Sequence, residues 1–344
     1  MSLDHEALVV RRGVRSGVYT VIAVHSTVLG PALGGCRMTS YPSAAEAVRD
    51  ALRLARGMTY KSAAAGLPLG GGKSVIAMEP EVDREAMLLD LADGVEGLGG
   101  QYIAAEDVGT KPADMELIRT RTRHVVGLPP EKGGVGDPSP YTAAGVEAAM
   151  RACVGKRFGS EDFDGRSVAI VGVGSVGEGL ARMLAEQGAK LILADINEGK
   201  RSLAEELGAR WSDPESAMVA EVDVLAPCAL GGVLDETTIP ALRCHVVCGA
   251  ANNQLLQEEL AEDLHRRGIV YAPDFIANAG GIIHAAEEQA GHHDPDRVAQ
   301  RVEGIHEVVA EILEESEARG RTPLTAAYAI AARRLEAGRA TAGV

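Results

Sequence analysis

Residues 168–195 read VAIVGVGSVGEGLARMLAEQGAKLILAD. The apolar run Val168–Val171 predicts a strand, and Leu180, Met183 and Leu184 carry the spacing of a helix. Between them stands Gly172-Val173-Gly174-Ser175-Val176-Gly177, a G-x-G-x-x-G loop. A second strand, Leu191–Ala194, ends in Asp195, an acid about twenty residues downstream of the loop. Gly172, Gly174 and Gly177 permit a tight turn, close approach of a pyrophosphate and close helix packing. The helix start at Ser175 and Val176 attracts the phosphate charge. Asp195 can accept hydrogen bonds from a ribose 2′-hydroxyl but repels a 2′-phosphate, which favours NAD over NADP. A glycine turn that binds no nucleotide is the alternative; the register of strand, loop, helix, strand and acid weighs against it.

Downstream, the strands Val222–Leu225, Val246–Cys248 and Ile269–Ala272 each run into a loop: Ala226–Gly232 with Cys228 and Ala229, Gly249–Asn253, and the segment reaching Asn278. Such loops gather at the carboxyl edge of a parallel sheet, where nucleotides bind. Asn252 and Asn253 carry amides suited to a carboxamide, a ribose or an amino group, or to fixing a turn. His284 reads as a polar helix cap. Arg297–Ala318 and Thr325–Arg339 read as long helices.

Upstream, Leu128–Pro140 is dense in Pro and Gly and marks a boundary. The expected division is 1–130, then a nucleotide-binding domain 131–319, with 320–344 returning to the first. In the first domain Val18–Val24 and Val28–Leu33 predict strands, and Gly34-Gly35 brings backbone close to a neighbour or simply turns. Ser43 and Glu46 open a helix that ends near Lys61. Gly57–Ser74, GMTYKSAAAGLPLGGGKS, places Lys61 and Lys73 on either side of Gly70-Gly71-Gly72, expected to be a tight loop presenting a cation. Two ammonium groups in one partly dry pocket repel, and the more desolvated one becomes a base. A phosphate-binding P-loop is disfavoured, because its first glycine would fall on Leu67. Tyr102–Gly109 reads as a strand with Glu106 and Asp107 at its carboxyl end. Alternation lets one of these acids face the lysines, and a helix cap near Pro112 is the competing role for it.

The 344 residues are enough for two domains, and 3% aromatics with abundant small aliphatics favour α/β layers. A formal charge of −15 argues against nucleic acid or anionic lipid as partners. No stretch is long and apolar enough for a membrane span, no signal peptide is evident, and five cysteines without a CxxC pair fit a reducing, cytoplasmic setting. Metal binding is not expected.

Six blocks resemble the NAD-dependent amino-acid dehydrogenases of the leucine, valine and phenylalanine group: GGCRM at 34–38, MTYKSAAAGLPLGGGKSVI at 58–76, AEDVGT from Ala105, APCALGG from Ala226, GAANNQL from Gly249 and YAPDFIANAGG from Tyr271. The resemblance spans almost the whole chain. It implies an N-terminal α/β substrate domain and a Rossmann domain separated by a cleft, a homo-oligomer, and reversible oxidative deamination of an L-amino acid to its 2-oxo acid and ammonia. By resemblance Lys61 holds the substrate carboxylate, with Gly34 and Gly35 beside it. Lys73 activates water, and Asp107 assists proton transfer at the amine. Asn253 orients the substrate amino group; Asn278 supports the nicotinamide side, near Cys228, Ala229 and Asn252. Leu33, Ala105, Ile282 and Ala285 line the side-chain pocket, which favours leucine, valine or isoleucine, with phenylalanine or a non-catalytic NAD sensor as alternatives. Cys36 departs from the threonine usual after Gly-Gly in this group, and His284 beside the pocket leaves the exact substrate open.

Overall fold

The computed structural model describes residues 4–292 and 294–342, which divide into two units. The first takes the described residues of Met1–Asp137, His284–His293 and Ala331–Val344. Its elements are β1 (Ala7–Arg12), β2 (Tyr19–Ser26), β3 (Ala32–Thr39), α1 (Ala44–Ala64), β4 (Gly70–Ala77), α2 (Arg84–Glu96), β5 (Tyr102–Glu106) and α3 (Pro112–Arg119). The sheet order is β1-β2-β4-β3-β5. β3 runs parallel to both β4 and β5, whereas β2 is antiparallel to β1 and β4.

Period-two alternation sorts β2 between two cores. Ile22 and Val24 pack with Met87, Leu88 and Leu91 of α2 and Met115 and Ile118 of α3. Val21 and Ala23 join Val75 under Ala47, Ala51, Leu52 and Ala55 of α1. The alanine face of α1 lets the helix lie close to the sheet. Ser43 caps it, its side chain accepting from the Glu46 N–H. At the other end Arg334 donates to the Ala63 and Ala64 carbonyls, adding to the Gly66 N–H that already reaches Ala63.

Two expectations for this unit are corrected. Gly70, Gly71 and Gly72 form no loop; they open β4, and none has a positive φ. What they supply is the absence of a side chain. A Cβ at Gly70 would stand 1.9 Å from the Ser26 carbonyl oxygen, at Gly71 2.0 Å from the Thr59 backbone nitrogen, and at Gly72 2.6 Å from the Tyr102 ring. The strand expected at Val28–Leu33 begins instead at Ala32. The preceding residues turn through Gly30, whose φ of +143° and close approach to the Pro68 carbonyl require glycine.

The second unit takes Pro138–Ile283 and Asp294–Ile330. Its elements are α4 (Ser139–Phe158), β6 (Ser167–Val171), α5 (Ser175–Glu186), β7 (Lys190–Ala194), α6 (Arg201–Glu206), β8 (Arg210–Ser212), α7 (Pro214–Met218), β9 (Val224–Pro227), α8 (Thr238–Ala241), β10 (Val246–Val247), α9 (Ala261–Arg266), β11 (Val270–Tyr271) and α10 (Asp274–Ala277). α11 (Gly280–Gln289), α12 (Pro295–Glu303), α13 (Ile305–Arg319) and α14 (Pro323–Ala342) follow. The sheet order is β11-β10-β9-β6-β7-β8, with every pairing parallel. Counted from β6, that is the 3-2-1-4-5-6 order of a dinucleotide-binding fold, with its switch point between β6 and β9.

The single helix expected over Arg297–Ala318 is two, α12 and α13, parted at Gly304. The units part at Asp137/Pro138, within the Pro- and Gly-rich stretch expected from the sequence, and again just before Asp294, while the other two divisions fall inside α11 and α14. His284–His293, assigned from sequence to the nucleotide-binding half, therefore belongs to the first unit.

Candidate active site

Strand register gathers several candidate residues of the first unit on one face of its sheet. Gly35 pairs with Ala105, and Cys36 pairs with Ser74, which sets Gly35 beside Lys73. Leu33, Gly35, Lys73 and Ala105 therefore share the face that α1 covers, and α1 carries Lys61, half-buried, in its last turn. Just past β5 stands Asp107. Its backbone N–H donates to Thr110 Oγ1 at 2.9 Å, and Thr110 Oγ1 lies 2.8 Å from the Cys36 carbonyl. Gly109 completes the turn at φ +83°.

Lys73 is 5% exposed, and its Nζ lies 2.6 Å from Asp107 Oδ2. The same oxygen accepts from Arg37 Nε at 3.2 Å. Burial pushes the Lys73 pKa below its ordinary value; Asp107 opposes that shift and Arg37 adds to it. For Asp107, burial alone would raise the pKa, but Lys73 and Arg37 outweigh it and the group is held low. The pair thus sets an easily deprotonated amine beside a carboxylate that stays charged. A Cβ on Gly35 would fall 2.6 Å from Asp107 Cβ, so that glycine keeps room for the carboxylate.

Alternation also decides between the two acids. Glu106 turns away from Lys73, toward Gly127, and burial with Asp137 and Glu288 raises its pKa. His284 is no helix cap. It lies inside α11, buried, with Nε2 3.2 Å from the Val135 carbonyl, and burial lowers its pKa. Along α11, Ile282 is buried and Ala285 half-buried, one turn apart.

In the second unit each loop glycine has its own reason. Gly172 holds φ +102°, and a Cβ there would meet Ala229; a Cβ on Gly177 would stand 2.0 Å from the Gly172 carbonyl oxygen. Around Gly174 a Cβ would meet nothing within 4 Å. That open ground lies at the N-terminus of α5, where Ser175 and Val176 begin the helix and no side chain caps it. Asp195 accepts from the backbone N–H groups of Val173 and Asn197, both at 2.8 Å, which fixes its carboxylate at the end of β7. Lys200 and Arg182 are both engaged by Glu178, at 3.0 Å each. The site therefore fits a dinucleotide with a free ribose hydroxyl.

Beyond the switch point, Cys228 donates its backbone N–H to the Val171 carbonyl at 2.8 Å. Asn278 Nδ2 donates to Asn252 Oδ1 at 2.8 Å and to the Ala250 carbonyl at 3.1 Å, bracing the loop after β10. Asn253 holds φ +52°, the left-handed conformation that Asn tolerates.

The family model described as the Glu/Leu/Phe/Val dehydrogenase dimerisation domain matches residues 7–124, and that of Glutamate/Leucine/Phenylalanine/Valine dehydrogenase matches 193–343. The chain belongs to this amino-acid dehydrogenase family. The NAD-binding domain of D-isomer specific 2-hydroxyacid dehydrogenases also matches, over residues 144–237. Leucine dehydrogenase of Thermoactinomyces intermedius is 46% identical over 98% of this chain and 93% of its own length. Valine dehydrogenase of Streptomyces albus is 44% identical over 98% of this chain and 93% of its own length. Among solved structures, L-tryptophan dehydrogenase from Nostoc punctiforme superposes with a TM-score of 0.88 at 36% identity, covering 98% of this chain and 97% of that one.

In this dehydrogenase the sequence reading overlooked Arg37 and Thr110. Both stand in quoted blocks, GGCRM and AEDVGT. A lone arginine or threonine carries no periodic signal; Thr110 meets Asp107 in a local turn, and the pairing of β3 with β5 brings Arg37 there.

Proposed function

We propose that this enzyme catalyses reversible, NAD-dependent oxidative deamination of a branched-chain L-amino acid to the 2-oxo acid and ammonia. The observation that carries the reading is the buried Lys73 ammonium, depressed in pKa, 2.6 Å from Asp107. When bound, NAD supplies hydride acceptance. The chain's own residues bind, orient and move protons. Lys61 holds the substrate carboxylate, and Lys73, neutral in its working form, takes a proton from the attacking water. Asp107 passes protons to and from the leaving amine, and Asn253 orients the amino group.

Gly172, Gly174, Ser175, Val176 and Gly177 receive the pyrophosphate and Asp195 the ribose, while Cys228, Ala229, Asn252 and Asn278 shape the nicotinamide side. Leu33, Ala105, Ile282 and Ala285, assigned to the side-chain pocket by the family resemblance, are aliphatic and favour leucine, valine or isoleucine, as do the leucine and valine dehydrogenases among the relatives. A homo-oligomer is supported by the dimerisation-domain match and by Leu8, Val10 and Tyr19, exposed on β1 and β2 at the edge of the sheet. The free cysteines fit a cytoplasmic setting. No helix among the described residues is long and apolar enough to cross a membrane.

NADH formation screened across the twenty amino acids, with ammonia measured in parallel, tests the reading. Branched-chain substrates should give the highest kcat/KM with one ammonia per NADH. Oxidation of 2-hydroxy acids without ammonia release would overturn it.

A further inference from the structure

Asp107 close to Lys73 creates a difficulty for the mechanism. A carboxylate 2.6 Å from an ammonium stabilises the protonated amine, yet the reaction needs the amine neutral. Arg37 resolves the conflict. Its Nε contacts the same Asp107 oxygen as Lys73, and its Nη1 donates to Asp50 Oδ2 at 2.9 Å. Asp50 is in turn held by Tyr41 Oη at 2.7 Å and by Arg53 at 2.9 Å. The guanidinium is thus stretched between two carboxylates and half-buried. It carries its charge at every working pH.

We propose that Arg37 is a positioning residue of the proton-transfer site: it fixes the Asp107 carboxylate and neutralises it, so that Lys73 is not locked to Asp107 as an ion pair. This rests on the reading of Lys73 as the base. With Arg37 in place, Asp107, Lys73 and Arg37 sum to one positive charge when Lys73 is protonated and to zero when it is neutral. Without Arg37 the same states sum to zero and to one negative charge, and the proton stays on Lys73.

The other titratable groups close to Asp107 and Lys73, on either side of the sheet, hold their charge state near neutrality. Cys36 is pushed by burial to about 12, and Tyr41 and Tyr102 are pushed higher still by burial. For Asp50, burial works against ionisation, but Tyr41, Arg53 and Arg37 outweigh it and hold the carboxyl low. α1 adds the cations Arg53 and Lys61.

The test compares Arg37→Gln and Arg37→Lys with the wild type in two readouts. One is the pH profile of kcat/KM for oxidative deamination of L-leucine; the other is the pH dependence of Lys73 acylation by acetic anhydride, read by mass spectrometry. In Arg37→Gln the acid limb and the acylation midpoint should both move to higher pH by about one unit or more. In Arg37→Lys the charge remains, so the limb should stay in place while kcat falls and the KM for NAD is kept, because an ammonium cannot bridge Asp50 and Asp107 as the fork does. If the glutamine variant does not fold, that kcat-against-KM split carries the test alone, and an Arg37→Lys enzyme of wild-type kcat overturns the proposal. Unmoved limb and midpoint in a folded Arg37→Gln protein also overturn it. A moved midpoint with an unmoved rate profile upholds Arg37 and removes Lys73 from the role of base.

Discussion

Two glycine clusters look alike in sequence, yet one of them leaves open ground and the other leaves none. At Gly70–Gly72 every added Cβ would strike protein: a carbonyl, a helix backbone, an aromatic ring. At Gly174 it would strike nothing. The first cluster is emptied so that α1 and Tyr102 can close on β4; in the second, Gly172 and Gly177 are likewise emptied for neighbouring protein, and Gly174 leaves ground that something outside the chain can approach. The difference teaches how to read a glycine: what would occupy its missing side chain says whether it serves the fold or a ligand.

Substitutions sharpen that contrast. Gly71→Ala should have the largest effect, because the obstacle is the Thr59 backbone at 2.0 Å and a helix must move. A loss on the order of 3 kcal/mol in denaturant unfolding is expected, and a variant as stable as the wild type would break the packing argument. Gly35→Ala should push Asp107 aside and lower kcat on the order of 10²-fold while leaving NAD affinity in place. An unchanged kcat would show that Asp107 need not stand where it does. Gly174→Ala should leave thermal unfolding untouched and weaken NAD binding about tenfold, or about 1.4 kcal/mol; calorimetric titration reads it, and unchanged affinity would remove the pyrophosphate from that ground.

Much of the second unit was legible because its signals are local. Strand, loop, helix and Asp195 follow one another within residues 168–195, although the Ala229 contact that requires Gly172 comes from beyond that stretch. In the first unit the sequence singled out candidate residues but not their geometry. Lys73 and Asp107 stood out, yet the glycine run before Lys73 has no period-two pattern and reads as a loop; only the strands on either side, β2 and β3, make it β4. Arg37 was hidden for a related reason. Its partners Asp50 and Asp107 lie thirteen and seventy residues away, and no spacing rule joins them. The division inside α11 and α14 was equally invisible, since neither helix carries a break at that point in its sequence.

The account turns on a buried amine that works as a base. The most direct measurement is single-turnover NADH formation from L-leucine by Lys73→Ala beside the wild type, with NAD affinity measured on both. The expected result is a rate lower by at least about 10²-fold with NAD affinity retained. A rate within a factor of about two, a barrier change well under 1 kcal/mol, would contradict the account.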